Sequence, residues 1–483
     1  VITAWEWIDP EEYLTDGMLA LPGAGRENPA FAEDVTALLP EKIQAEVVIV
    51  NAAEDGEETE EDAEAAPETE GAEITLTGWE CASYPEDGAY EGTYTFTASL
   101  PGGFVLAEDA AALKVEVELG GTKVLAETVS ASYQEASWND GVTYTTKTAD
   151  SCTPVTDSTT EWTDGGWYVV NNTVTISEPI TVSGDVSLIL TDGCTLTAAK
   201  GIVVTDGNSL TIYAQSENGG TLNATGMTDD SGNASAGIGG STSSVDSGSI
   251  TIHGGIINAT GGVANNNFGN PNYGGAGIGG STTSSGNGGN SGTIEIYGGT
   301  ITANSGAGNV AGAGIGGGGG GNGRNGGDGG GITIYGGNVT AASHGTQSGG
   351  AGIGGGAGDI GDGGAGNNIQ INGGMVHATG GYLGAGIGGG GGVGKKSGDG
   401  TVTISGGTVT AVGGSYAAGI GGGGGYQYSN QWASDSTTGG TGSVTITGGI
   451  VDASSPTDVD YADYKGAPIG NGGNATATAT VNK

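Results

Sequence analysis

Few residues on this chain have the type and spacing to do chemistry. Asp359 and Asp362 in Gly-Asp-Ile-Gly-Asp-Gly, with Asp399 one repeat later, are hard oxygen donors of the kind calcium takes. Their spacing misses the nine-residue calcium β-roll pattern, so solvated loop acids are the competing reading. Arg324, the only arginine past residue 150, has Asp328 close by, but both stand among glycines, a poor platform for catalytic geometry. A paired-carboxylate glycosidase needs two acids facing each other across a sugar. The candidates, Glu295 and Asp452, lie about four repeats apart in a chain whose repeat is described below. Tyr426, Tyr428 and Trp432 interrupt a glycine loop, where aromatic rings either stack on a sugar, fill an interface or fold back on the chain. Cys81, Cys152 and Cys194 allow one disulfide, with Cys152 and Cys194 the pair placed to staple the start of the repeats. No CxxC occurs, and His253, His344 and His377 are the only histidines. The expectation is a chain without catalytic residues and without a cofactor, with solvated loop acids preferred at the three positions and calcium there as the alternative.

The elements that would position these residues are repeats. Ala-Gly-Ile-Gly-Gly starts at Ala236, and its isoleucine recurs at Ile238, Ile278, Ile315, Ile353, Ile387 and Ile420, with Ala-Pro-Ile-Gly at Ile469. After each of the first six comes a Gly/Ser/Asn loop, an alternating run, Gly-Gly, and a second alternating run, as in Thr401-Val-Thr-Ile-Ser-Gly-Gly-Thr-Val-Thr-Ala411. Period-two alternation denotes strands with one buried face, and one supersecondary unit per copy denotes a solenoid. The copies align in columns. Ile250, Ile294, Ile332, Ile369, Val402 and Val444 form one, and Ile252, Ile296, Ile334, Ile371, Ile404 and Ile446 a second. Ile257, Ile301, Val339, Val376, Val409 and Val451 form a third, and Ala259, Ala303, Ala341, Ala378, Ala411 and Ala453 a fourth. With the pentad isoleucine this predicts an all-β fold, a parallel β-helix with three strands per coil. Gly-Gly marks a corner, where glycine reaches positive φ without penalty. Outward positions include Thr251, Glu295, Thr333, Gln370, Thr403 and Thr445 on one side, and Asn258, Thr302, Thr340, His377, Thr410 and Asp452 on another.

Charge and glycine divide the chain. The formal net charge is −43; residues 1–150 hold 33 Asp and Glu against 5 Lys and Arg, and 13 of the 106 glycines. So acidic a surface argues against a nucleic-acid partner. No run of apolar residues is long enough to span a membrane as a helix. The chain opens on Val1 with no visible signal peptide, so a mature exported protein is expected.

In residues 1–50 a helix is predicted after Asn28 as cap and Pro29, with Phe31, Val35, Leu38 and Leu39 as its stripe and Pro40 as its stop. Strands are predicted at 44–50, 74–79, 93–99 and 113–119, the last opening a hairpin through Gly120-Gly121. Residues 51–72 read as an acidic insertion and 128–160 as a linker or an irregular strand pair. The solenoid takes 161–483, with the leucine-rich runs between residues 162 and 213 as its atypical first coils.

Two resemblances follow from these residues. Trp5-Glu-Trp-Ile-Asp, Leu38-Leu-Pro40, Trp79-Glu-Cys-Ala-Ser-Tyr-Pro, Tyr90-Glu-Gly-Thr-Tyr-Thr-Phe-Thr-Ala and Phe104-Val-Leu together resemble a small Ig-like module of surface proteins of Gram-positive gut bacteria, covering residues 1–127. The acidic insertion departs from its compact loop. Residues 160–483 are similar to bacterial surface proteins often labelled carbohydrate-binding, whose fold is like the right-handed pectate-lyase-type β-helix; the handedness comes from this resemblance alone. Lyases of that fold use acidic calcium ligands and a basic proton acceptor, and no such cluster is evident around Lys200, Lys395, Lys396, Lys465 or Arg324.

The expectation is therefore an extracellular protein of the bacterial surface with no catalytic role, a rigid solenoid stalk or fibre subunit behind an acidic Ig-like module. The alternatives are a carbohydrate-binding adhesin and, third, a polysaccharide lyase or glycosidase. Expected partners are further copies of the chain or surface glycans. Val1, Ile2 and Trp5 in the first strand, and Ala475, Ala477, Ala479 and Val481 in the last, are expected to offer free edges for head-to-tail strand pairing.

Overall fold

A computed structural model describes residues 1–8, 18–21, 30–49, 69–85, 88–89, 92–107, 109–119, 128–216, 219–243, 246–264, 272–393, 395–426, 438–456, 465–476, 478 and 480–482. The chain divides into two units, Val1–Glu127 and Thr128–Lys483.

The first unit holds two small sheets among the described residues. In one, Lys42–Val48 pairs antiparallel with Ile2–Trp7 on one side and Thr69–Thr75 on the other. In the other the order is Met18–Leu21, Lys114–Leu119, Gly92–Ser99, Gly78–Glu80, with the first pair parallel and the rest antiparallel. Alternation sends Val115, Val117 and Leu119 inward against Phe96, Leu19 and Val35. Ile2, Ile43, Ala45 and Ile74 build a second small core. The helix is shorter than predicted, Ala32–Thr36 with Phe31 at its N-cap and no side-chain cap. Asn28 and Pro29 lie outside the described residues. The expected stripe shrinks to Val35 and Leu39, because Phe31 and Leu38 are exposed.

The second unit is a parallel β-helix. Each coil contributes one strand to each of three sheets, of which the third, carrying the pentads, has ten strands among the described residues. At about 4.8 Å per coil, that is a stack roughly 40 Å long. The register joins the columns residue for residue: Ile250 to Ile294 and Ile252 to Ile296 in the first sheet, Ile257 to Ile301 and Ala259 to Ala303 in the second, Ile238 to Ile278 in the third. Most of these side chains are buried in one continuous core, and the last coil, with Ile446, Val451, Ala453 and Ile469, is partly open, as is Val174 in the first. At the other end Trp162, fully buried, stacks on Tyr168 at 5.2 Å and closes the first coil.

Two backbone settings recur that only glycine fits well. The second glycine of each corner, from Gly255 to Gly449, has φ between 81° and 95°, and the glycine after each pentad isoleucine has φ between 130° and 137°.

Residues 128–160, expected as a linker or an irregular strand pair, hold a strand pair. Val129–Trp138 and Val142–Pro154 form a long antiparallel hairpin in the same unit as the solenoid. Its return strand enters the first sheet beside Trp167–Val170. The partners of the hairpin's distal half, His253 and Tyr335, lie far along the sequence, so local composition does not show where the pair docks.

Candidate functional site

The feature that organises the outer face of the first sheet is a column one residue past the inward isoleucines: Tyr213, His253, Tyr297 and Tyr335. In-register parallel pairing forces these rings into a stack. Centroids are 4.6 Å apart for Tyr213 and His253, 5.0 Å for His253 and Tyr297, and 4.4 Å for Tyr297 and Tyr335, with planes within 18° of parallel. The next rungs, Asn372 and Ser405, end the stack and bond to each other at 2.7 Å.

The hairpin lies along this stack. At its base Tyr133 packs against both Trp167 and Tyr213, which stack on each other at 5.6 Å, within a cluster that includes Ala131, Cys152, Val169 and Ile189. Midway, the Ala136 N–H donates to His253 Nδ1 at 3.1 Å. At its tip Trp138 covers Tyr335, with centroids 5.6 Å apart. The first glycine of the corner makes room for it: a Cβ on Gly298 would meet the Tyr144 hydroxyl, on Gly336 Val142, and on Gly373 the Trp138 ring.

Electrostatically the stack is a row of neutral donors and acceptors. Burial pushes the phenols of Tyr213 and Tyr297 up to about 12 and raises Tyr335, so each keeps its proton. Burial lowers His253 to about 4, against the opposing pull of Glu135. Glu295 accepts a hydrogen bond from the Tyr335 hydroxyl at 3.4 Å. Protonated phenols and a neutral, walled-in imidazole can bind and donate but lack an activated nucleophile. Nor do Glu295 and Asp452 meet: the first lies in the first sheet and the second in the second.

The three acids are each engaged within the fold. Asp362 Oδ1 accepts from the Lys396 N–H at 3.0 Å, and Asp399 Oδ1 from the Thr441 N–H at 2.7 Å. Asp399 also takes the Lys396 ammonium at 2.6 Å. Asp359 accepts from the hydroxyl of Tyr273, a fully buried ring, and its own burial raises its carboxyl. No cluster of three or more metal-binding side chains occurs among the described residues. The acids instead form ladders with asparagine. Asp246 takes the N–H of Asn290, Asn290 that of Asp328, and Asp328 that of Ala365. In parallel, Asn287 takes that of Asn325 and Asn325 that of Asp362. Each side chain thus holds the main chain of the next coil. Arg324 donates to the Ser285 carbonyl and makes no ion pair with Asp328 among the described residues.

The glycine loops are a lattice. The Gly289 N–H donates to Ser281 O, Gly318 to Gly289, Gly327 to Gly318, Gly356 to Gly327, Gly364 to Gly356 and Gly390 to Gly364, continuing through Gly398, Gly423, Gly440 and Gly472. A Cβ on Gly318, Gly327, Gly356, Gly364, Gly390 or Gly398 would stand within 2.0 Å of a carbonyl oxygen. Main chain packs directly on main chain here, so the loops are satisfied within one molecule.

Of the remaining candidates, Tyr426 pairs with Val393 in a short two-stranded sheet, and Tyr428 and Trp432 lie outside the described residues. Among the described residues each terminal strand is paired with a strand on one side only and stands at the edge of its sheet. Ile2 and Trp5 belong to Ile2–Trp7, which pairs with Lys42–Val48, and the Val1 ammonium donates to Val48 O. Val481 pairs with Val444 in the first sheet; Ala475 is described without strand pairing, and Ala477 and Ala479 fall outside the described residues. Cys152 and Cys194 carry free thiols, as does Cys81. Cys194 points into the solenoid core and Cys152 into the cluster under the hairpin, so the sheet separates them. The aromatic column is not among the sequence expectations, although His253, Tyr297 and Tyr335 each directly precede a corner Gly-Gly.

Fold and register define a parallel β-helix protein. The family described as Beta helix repeat matches residues 218–242, 294–319, 332–357, 369–391 and 402–424, the last four running from a first-sheet strand through the next pentad. Neither a curated protein nor a solved structure matches this chain.

Proposed function

We propose that the chain is a non-enzymatic structural protein of the bacterial cell surface, its β-helix serving as a rigid stalk. The observation that carries this is where the polar groups go. The Asp and Asn side chains of the loops and the glycine amides hold one coil to the next, instead of converging on a cavity. Such a stack resists bending because each displacement breaks hydrogen bonds in three sheets and the lattice together. The likeness of residues 1–127 to an Ig-like module, and of both parts to surface proteins of Gram-positive gut bacteria, supports the location. Assembly into a fibre would add copies on the outer edge of Thr480–Asn482, whose inner edge is already paired.

A carbohydrate-binding adhesin is the second reading, and one arrangement favours it. Trp138 and Tyr335 offer half-buried rings beside the amides of Gln370 and Asn372, a platform of the kind that stacks on a sugar. The intact chain on a glycan array, with polysaccharide cleavage followed in parallel, separates the readings. A stalk retains no glycan and yields no product. Saturable retention lost in Trp138→Ala replaces it with the adhesin, and unsaturated product replaces both. Sedimentation across ionic strengths then distinguishes a monomeric stalk from salt-promoted filaments that deletion of residues 475–483 would abolish.

A further inference from the structure

The hairpin is held in two different ways. Its base is fixed by apolar packing of Tyr133 and Cys152 against Val169 and Ile189. Its distal half, from Gln134 to Thr146, rests on one bridge from Gln134 to Ala214, the Ala136 bond to His253, the seats over Gly298 and Gly336, and Trp138 on Tyr335. The central bond has a strict requirement: Nδ1 accepts from a backbone N–H, so it must carry no proton. A proton on Nδ1 would set two donors against each other in a site where His253 is 8% exposed and sandwiched between Tyr213 and Tyr297.

We propose that residues 134–146 are an acid-released strap, closed over the aromatic column while His253 is neutral and lifted from it when His253 takes a proton. Release uncovers the rings of His253, Tyr297 and Tyr335 as a continuous aromatic stripe, while the base cluster keeps the hairpin attached. No other ring of the column titrates in acid, because its phenols hold their protons far above neutrality. The other titratable groups near His253 are Glu135 and Lys147 on the hairpin, paired at 2.5 Å, the hairpin's own Tyr133 and Tyr144, and Glu295 beside Tyr297 in the next coil. The sign follows from linkage. Burial, by the strap together with the flanking Tyr213 and Tyr297 rings, lowers His253 from 6.5 to about 4, so closure is at full strength above the free value and weakens as pH falls toward the closed-state value. The closed-to-open ratio drops by at most about tenfold per pH unit in that window, and about 300-fold is the upper bound, reached only when release relieves the whole of the burial.

The test is hydrogen exchange on the full chain from about pH 7 to about pH 4. Protection of the 134–146 amides is referred to that of first-sheet amides in the same sample, which removes the intrinsic pH dependence of exchange. Relative protection is expected to fall by at most about tenfold per unit below about pH 6.5. In His253→Gln, whose amide oxygen accepts from Ala136 without titrating, it is expected to stay flat, although Glu135 and Glu295 still titrate. An equal fall in both proteins would assign the effect to the carboxylates and overturn the proposal, as would no fall in the wild type. Should the Gln variant fail to close, titration of His253 in the wild type by NMR decides. A His253 midpoint that tracks loss of strap protection upholds the proposal; a His253 that titrates with the strap still protected refutes it.

Discussion

Gly316→Ala is the substitution that tests most directly whether main-chain packing holds the coils together. Gly316 follows the pentad isoleucine Ile315 and has φ 137°, a setting that L side chains rarely adopt. A Cβ there would lie 1.9 Å from Gly354 O, one coil on, and 2.8 Å from the Gly354 carbonyl carbon. That is roughly 1.5 Å short of ordinary contact, and the obstacle is backbone, which has no rotamer to yield. Opening the gap breaks the bond from the Gly317 N–H to Gly354 O, now 2.9 Å. Strain of about 1–3 kcal/mol, overpacking of about 1–3 and a lost hydrogen bond of about 0.5–1.5 place the cost at about 3–7 kcal/mol. The control is Gly331→Ala, where φ is ordinary and the nearest atom to the added Cβ is a side-chain nitrogen of Asn368 at 3.8 Å. It is expected to be neutral, or stabilising by about 0.4–1 kcal/mol through the unfolded chain. Urea midpoints compare the two. Because a solenoid need not unfold in one step, exchange of the amides at 315–317 and 353–355 supplies a local reading. Equal midpoints for the two variants would refute the account of these glycines.

The remaining predictions concern side chains. Ile334 is fully buried between Ile296 and Ile371, so Ile334→Asp is expected to cost several kcal/mol in chemical denaturation, on the scale of about 3–5 for an unpaired buried charge. Its outward neighbour Thr333→Asp is expected to shift the midpoint by less than about 0.5 kcal/mol. Asp328 accepts from the Ala365 N–H at 2.7 Å, as Asn290 does from Asp328 one coil earlier. Asp328→Asn is therefore expected to melt like the wild type and Asp328→Ala to lose about 1 kcal/mol, with calcium or a chelator moving neither melting curve.

The inward half of the solenoid was legible because parallel in-register pairing repeats the same contact in every coil. Ile250, Ile294 and Ile332 stack as aligned, and so do Ala259, Ala303 and Ala341. The outward half was harder to read. Asp246, Asn290 and Asp328 occupy equivalent places at unequal spacings, since the loops between them differ in length, so no fixed period reveals the ladder. Glycine carries no side-chain pattern at all; its excess suggested loose loops, and only the hydrogen bonds from Gly289 to Gly318 and onward identify a lattice. The hairpin's register depends on Tyr213, His253, Tyr297 and Tyr335, residues of four successive coils far down the chain. A local reading of Val129–Trp138 contains none of them.

These constraints also say where the chain is free to vary. A coil cannot gain a Cβ in the lattice, a polar residue in the columns, or a residue within a ladder strand without disturbing both neighbours. It can gain length in the segments between one strand and the next. The pentad isoleucines are 33 to 49 residues apart, and the extra residues of the longest intervals fall in two places. One is between the second-sheet strand and the pentad, as at residues 261–275; the other is between the pentad and the next first-sheet strand, as at residues 422–441. Tyr426, Tyr428 and Trp432 all belong to the second place, in the longest interval of the chain. A backbone-bonded core of near-invariant geometry combined with insertions of unequal length is how a scaffold carries differing surfaces without altering its fold. If the chain recognises anything beyond its own hairpin, the residues that choose the partner are expected in those insertions, and swapping residues 427–437 between chains should move recognition while leaving the melting behaviour of the solenoid in place.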